Sequence, residues 1–153
     1  MPNWTRNELE IQFHNVSEDT KERRKSVDDF LKKVTTIEKY DDGTKRQILD
    51  FNKIVQPPKN MFRGKLSDED RKRCEKKGIP NWYDWCIENW DTKWNSCNCT
   101  IDIDKEYYEF ISITFNTAWS PPVPVIDKLK QMFPDLHISG NYVGEANEFA
   151  GVF

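Results

Sequence analysis

A chain of 153 residues is long enough for one domain with a real core. It is 37% hydrophobic and 32% charged, and its 13% aromatic content argues against disorder. The net charge of −3 lacks the clearly basic balance of most nucleic-acid domains, and no apolar run is long enough to span a bilayer.

Residues 1–10 have neither the basic stretch nor the apolar core of a secretory leader, so a cytoplasmic location is expected. Residues 8–13 alternate, with Leu9, Ile11 and Phe13 on one side and Glu8, Glu10 and Gln12 on the other, which predicts a half-buried strand. Ser17 with Glu18 and Asp19 starts a helix that should run to about residue 36. Val27, Phe30, Leu31 and Val34 form its inward stripe, and Lys21, Arg23, Arg24 and Lys25 fall on its solvated side. Asp41-Asp42-Gly43 signals a turn. Residues 48–55 read as a short strand or extended segment, stopped by Pro57-Pro58.

Residues 59–78 look inserted and locally basic. They hold a short helix opened by Ser67-Asp68-Glu69-Asp70 and closed by Gly78-Ile79-Pro80. A second short helix starts at Pro80-Asn81 and runs to about Asn89, with Trp82, Trp85, Cys86 and Trp90 near helical spacing. Residues 100–104 and 107–117 predict a hairpin. Ser120-Pro121-Pro122 opens another helix, striped by Val123, Ile126, Leu129, Lys130 and Phe133 and ended by Phe133-Pro134. Residues 136–143 form a further strand, and residues 148–153 pair back on it through a turn.

The expected order is β-α-(β, insertion)-β-β-α-β-β. That is an α+β fold: a single ferredoxin-like domain over residues 1–153, with two main helices on one face of an antiparallel sheet and a Trp-rich helical insertion at about residues 57–95. Cys74, Cys86, Cys97 and Cys99 lack the paired knuckles of zinc ribbons and read as thiols, so neither a metal nor a cofactor is expected. There is no Gly-rich phosphate loop, HExxH or GxSxG, and His14 and His137 read as structural or solvent-exposed.

Six Trp in three neighbourhoods are the most distinctive feature. They accompany Pro2-Asn3-Trp4-x-x-Asn7-x-Leu9, Asp50-Phe51-Asn52-Lys53-Ile54-Val55 and the long block from Asn81-Trp82-Tyr83-Asp84-Trp85 through Asn89-Trp90 to Trp94-Asn95. Phe115-x-Thr117-Ala118-Trp119-Ser120-Pro121-Pro122, Phe133-Pro134, Tyr142-x-x-Glu145 and Phe149-x-Gly151 follow. Together these blocks resemble the YubB-like family of phage and plasmid proteins. The resemblance implies a ferredoxin-like topology without an iron–sulfur cluster, and a mobile-element source in bacteria. One departure is Asp91, where the family pattern leads us to expect Gly; Asp tolerates positive φ better than most residues.

The Trp block has two readings. In one, Trp82, Trp85, Trp90 and Trp94 pack a helix onto the sheet while Asn and Asp cap its ends. In the other, some of these rings join Trp4 and Trp119 in a pocket that stacks a base, with Lys93 and Arg63 facing phosphates. Thr117 and Ser120 would then offer hydroxyls beside a helix start suited to an anion, and Tyr142 and Glu145 complete the candidate set.

The preferred function is a small non-enzymatic binding protein of a phage or plasmid. It would counter host machinery by binding a host protein or sequestering a nucleotide-like ligand. One alternative is an enzyme acting on a nucleotide or nucleic acid, built from His14 or His137 with Glu145 or Asp84. Another is an accessory domain that regulates replication or transfer as a homo-oligomer. Nucleic acid is not the favoured partner, and no membrane association is expected.

Overall fold

The computed structural model describes residues 3–153. Alternation sets the first strand: in β1, Trp4–Gln12, Thr5, Asn7, Leu9 and Ile11 are buried and Arg6, Glu8 and Glu10 are exposed. Helix α1, Thr20–Val34, is capped by Asp19, whose carboxylate accepts from the Lys21 amide at 2.9 Å. Ser17 lies outside the helix and instead accepts from the Asp19 amide. The β-branched Thr35, Thr36 and Ile37 stop α1, because their backbone is already extended from Thr35 onward. They form β2, Thr35–Lys39, which pairs with β3, Lys45–Leu49, across the Asp41-Asp42-Gly43 turn. A 3-10 turn, Phe51–Lys53, follows where residues 48–55 left strand and extended readings open.

Two short helices come next. Helix α2, Asp68–Lys77, has a complete capping box between Ser67 and Asp70 and ends on Gly78 at φ +66. Helix α3, Trp82–Trp90, is capped by Asn81 and ends on Asp91 at φ +61, the left-handed position anticipated for that residue. Strands β4, Cys97–Ile103, and β5, Phe110–Ala118, form the hairpin. Helix α4, Val123–Met132, β6, His137–Gly144, and β7, Ala150–Val152, complete the chain.

The main sheet runs β4-β5-β1-β6-β7, with every neighbour antiparallel. With α1 and α4 as the two crossovers, this is the ferredoxin-like split βαβ arrangement, extended at one edge by β7. Both helices lie over the face bearing Leu9, Ile11, Ile111, Ile113, Phe115 and Ile138, and their stripes join those residues in one core. The other face carries Glu8, Glu10, Ser112, Thr114, Ser139 and Asn141 and stays open.

Two expectations change. The chain outside the ferredoxin-like elements spans residues 35–96, so it begins with the β2–β3 hairpin rather than near residue 57. Helix periodicity running on through α1 concealed that boundary. Arg23 is not solvated: it is 7% exposed, and its guanidinium donates to the Tyr107 and Ser17 carbonyls at 2.8 and 2.9 Å and to the Thr20 hydroxyl at 3.2 Å. Those bonds tie the start of α1 to the β4–β5 turn, and they meet the cost of burying the charge.

Candidate ligand-binding site

The Trp residues divide into two groups. Trp90 is 3% exposed, donates its indole N–H to the Val55 carbonyl at 3.0 Å, and stands edge-on to Phe51 and Trp85. Trp82 donates its indole N–H to the Gly64 carbonyl at 3.0 Å and pins the approach to α2. These rings pack α3 against the core and the chain before it, as the packing reading required.

Trp4, Trp94 and Trp119 differ. Trp94 and Trp119 are 38% and 41% exposed, and the Lys93 ammonium lies 4.0 Å from one ring centre and 4.2 Å from the other. Trp4 backs Trp94 at 6.1 Å, and Tyr83 meets Trp119 edge-on at 6.5 Å. Tyr83 was absent from the candidate set, although its place one residue after Trp82 puts it on the neighbouring helix face.

Two loops carry these rings and are tied to each other. The Thr92 hydroxyl donates to the Ala118 carbonyl at 2.8 Å, and the Ser120 hydroxyl donates to the Asp91 carbonyl. The Trp119 amide donates to the Asn3 carbonyl at 2.8 Å, joining β1 to the same corner. Both Asp91 and Trp119 have positive φ, +61 and +69. For a side chain as bulky as Trp this conformation is strained, and the cross-ties hold it.

Beside α3 these elements leave a cavity of about 250 Å³ lined by Asn52, Met61, Arg63, Trp82, Cys86, Trp90, Lys93, Trp94 and Asn95. Neither Arg63 nor Lys93 has a carboxylate partner among the described residues. Burial pushes the Cys86 thiol up to about 11, with the Arg63 charge pulling weakly the other way. The thiol is therefore protonated near neutral pH and is a poor nucleophile. On the other side of α3, Tyr83, Asp84, Ile87, Glu88, Asp91, Trp119 and Ser120 line an acidic cleft of about 440 Å³. The Asn81 amide and the Arg71 guanidinium hold the Asp84 carboxyl below its usual range, whereas burial raises Asp91.

Not every candidate residue joins this corner. Thr117 is fully buried; its hydroxyl donates to the Ser120 carbonyl at 2.7 Å and accepts from the Asn7 amide at 3.0 Å. The start of α4 offers no anion cradle, because Pro122 and Pro124 have no N–H and the Val123 and Val125 amides bond to the Pro121 and Pro122 carbonyls. The Thr117 and Ser120 hydroxyls thus brace the corner, and Ser120 also lines the acidic cleft. Trp85 is half-buried against Trp90. Tyr142 packs on Phe149 and Phe153 and lies over Gly151, whose missing Cβ makes room for it, so it belongs to the β6–β7 edge. Glu145 does reach the corner, accepting from the Trp4 amide at 3.1 Å.

The enzyme alternative needs His14 or His137 close to Glu145 or Asp84. The eight residues of β6 separate His137 from Glu145, ~25 Å at strand rise. His14 follows the end of β1 that pairs with His137, also away from Glu145. Asp84 is engaged by Asn81 and Arg71 on α3. Among the described residues, no three His, Cys, Asp or Glu side chains gather as a metal cage. Among the same residues, no helix is long and apolar enough to cross a membrane.

Residues 89–153 match the family model described as "Ferredoxin-like domain in Api92-like protein". No curated protein and no solved structure matches the chain. The matched stretch holds β4, β5, α4, β6 and β7, while β1, at the centre of the sheet, and α1 come from outside it. The match and the strand order agree that the chain carries a ferredoxin-like domain.

Proposed function

We propose that this is a small non-enzymatic binding protein that takes a nucleotide-like ligand at the corner beside α3. One observation carries the reading: Arg63 and Lys93, with no carboxylate partner among the described residues, stand in one cavity with Trp82 and the exposed Trp94. Two such cations suit a phosphate, and indole faces suit a base. The cavity's size fits one ring system or a phosphate-bearing fragment of a ligand, and not an extended strand. The protonated Cys86 and the scattered histidines fit binding better than covalent chemistry. The resemblance to the YubB-like family favours a phage or plasmid setting in a bacterial cytoplasm, where holding a nucleotide signal away from host machinery is a coherent role.

A host protein is the second reading, and the acidic cleft supports it. Its aromatic edges and its carboxylates Asp84, Glu88 and Asp91 complement an Arg- or Lys-bearing segment.

Calorimetric titration of the purified protein with nucleoside mono-, di- and triphosphates tests the first reading. Saturable binding that weakens with salt and is lost in Arg63→Ala supports it. A flat response across the set removes it.

A further inference from the structure

We propose that the gap between Trp94 and Trp119 is a stacking slot that Lys93 fills with its own ammonium in the free protein. A nucleotide base displaces the ammonium, which then turns to the phosphate. This inference rests on the nucleotide reading above and adds where the base sits and what must leave.

The walls of the slot are built and its plug is not. Trp94 is backed by Trp4, and Trp119 by the edge of Tyr83. The loops that carry the two walls are joined by the Thr92–Ala118 and Ser120–Asp91 hydrogen bonds. Trp119 is held at φ +69, a conformation that a bulky side chain keeps only under constraint. Lys93, by contrast, makes no hydrogen bond or ion pair with its ammonium among the described residues; its contacts there are the two ring faces.

The distances from the ammonium leave room for the exchange. An ammonium 4.0 Å from one ring centre and 4.2 Å from the other sets an upper limit of about 8 Å on the separation of the centres. A base stacked against both walls needs roughly 7 Å between them. That limit leaves room for a ring between the walls once the ammonium is out. Lys93 also lines the cavity that contains Arg63, so its flexible stem carries the charge from the slot toward the place where a phosphate would meet Arg63.

The mechanism predicts opposite effects on two ligands. Lys93 competes with the base but helps the phosphate. Calorimetry with adenosine and with adenosine 5′-monophosphate, on wild type and Lys93→Ala, reads both. Lys93→Ala should bind adenosine about tenfold more tightly, since two cation–ring contacts no longer oppose entry. It should bind the monophosphate no more tightly than wild type, so the preference for the charged ligand collapses. Trp94→Leu should weaken both ligands about tenfold by removing one wall. If wild type binds the monophosphate but Lys93→Ala leaves adenosine unchanged or weaker, the plug is wrong and the nucleotide site stands. Full binding of both ligands in Trp94→Leu overturns the slot in the same way. If neither ligand binds wild type or Lys93→Ala, the nucleotide reading itself fails, and the slot with it.

Discussion

Trp90 and Trp94 lie four residues apart and are used in opposite ways. Trp90 has its N–H satisfied by Val55 and its ring enclosed by Phe51 and Trp85. Trp94 is 38% exposed and turns a face to a cation. The difference comes from Asp91: its left-handed backbone ends α3, so the next residues leave the helix and cross to β1 and the loop after β5. An indole with its polar edge bonded and its ring enclosed is core; one that spends a face on an ammonium is a surface held ready.

The sharpest way to break that comparison is to truncate both rings. Trp90→Ala removes a ring from the closed core and should cost about 3–5 kcal/mol. For a chain of this size that lowers Tm by roughly 10 °C. Trp94→Ala should cost under ~1 kcal/mol, as exposed truncations usually do. Urea unfolding of both variants decides the matter. Equal losses would mean that Trp94 is also core and that the corner is not a binding surface.

A smaller effect separates the solvated cations from the buried one. Arg23→Ala should cost about 2 kcal/mol, because it leaves the Tyr107 and Ser17 carbonyls without their donors. Arg23→Lys should not restore it, since an ammonium cannot span three acceptors held by a planar fork. Lys25→Ala, on the exposed side of the same helix, should be nearly silent. An Arg23→Ala variant as stable as Lys25→Ala would return Arg23 to the solvated face that the sequence predicts.

That miss shows what is legible in such a chain. Alternation in β1 and β5, the stripe of α1 and the Ser67–Gly78 signals of α2 are local, and each element forms where its pattern lies. The β2–β3 hairpin is hidden because the helix signal reads on to about residue 36, while the β-branched side chains of Thr35 and Thr36 favour a strand. In the candidate site, Trp4 lies against Trp94, and Lys93 lies over Trp94 and Trp119, whereas the sequence reading has Lys93 facing phosphates. Thr117 and Ser120 could not be sorted from sequence. A hydroxyl bonded to a carbonyl from a distant loop reads the same as one facing a ligand.

Asp50 offers a pH test of the packed side of the corner. Burial alone would raise its carboxyl. Hydrogen bonds from Asn52, Thr36 and Asn95 outweigh that and hold it below the usual carboxylate range. A group depressed on folding contributes fully above its unfolded pKa, and the contribution is lost as pH falls through the folded value. Asp50→Asn should therefore be less stable than wild type at pH 6, and the gap should close as both are taken to pH 2. Urea midpoints across that range check it. A constant gap would mean that the ionised carboxylate is not what ties Thr36, Asn52 and Asn95 together.

The smallest effect concerns α2, which buries Cys74 alone and leans on its caps. Ser67→Ala removes half of the capping box and should cost about 1 kcal/mol. Gly78→Ala places a Cβ at φ +66 and should cost a similar amount. Because few core contacts tie α2 down, both losses should appear as faster amide exchange within α2, with the amides of β1 and β5 unchanged. The Phe62 and Trp82 amide bonds to the Pro80 and Phe62 carbonyls, the Trp82 indole bond to the Gly64 carbonyl and the Arg71–Asp84 ion pair link this region to α3. If exchange also quickens in α3, those links transmit the loosening, and α2 supports the Trp82 wall of the cavity. If it does not, the ligand corner stands on α3 and the sheet without help from α2.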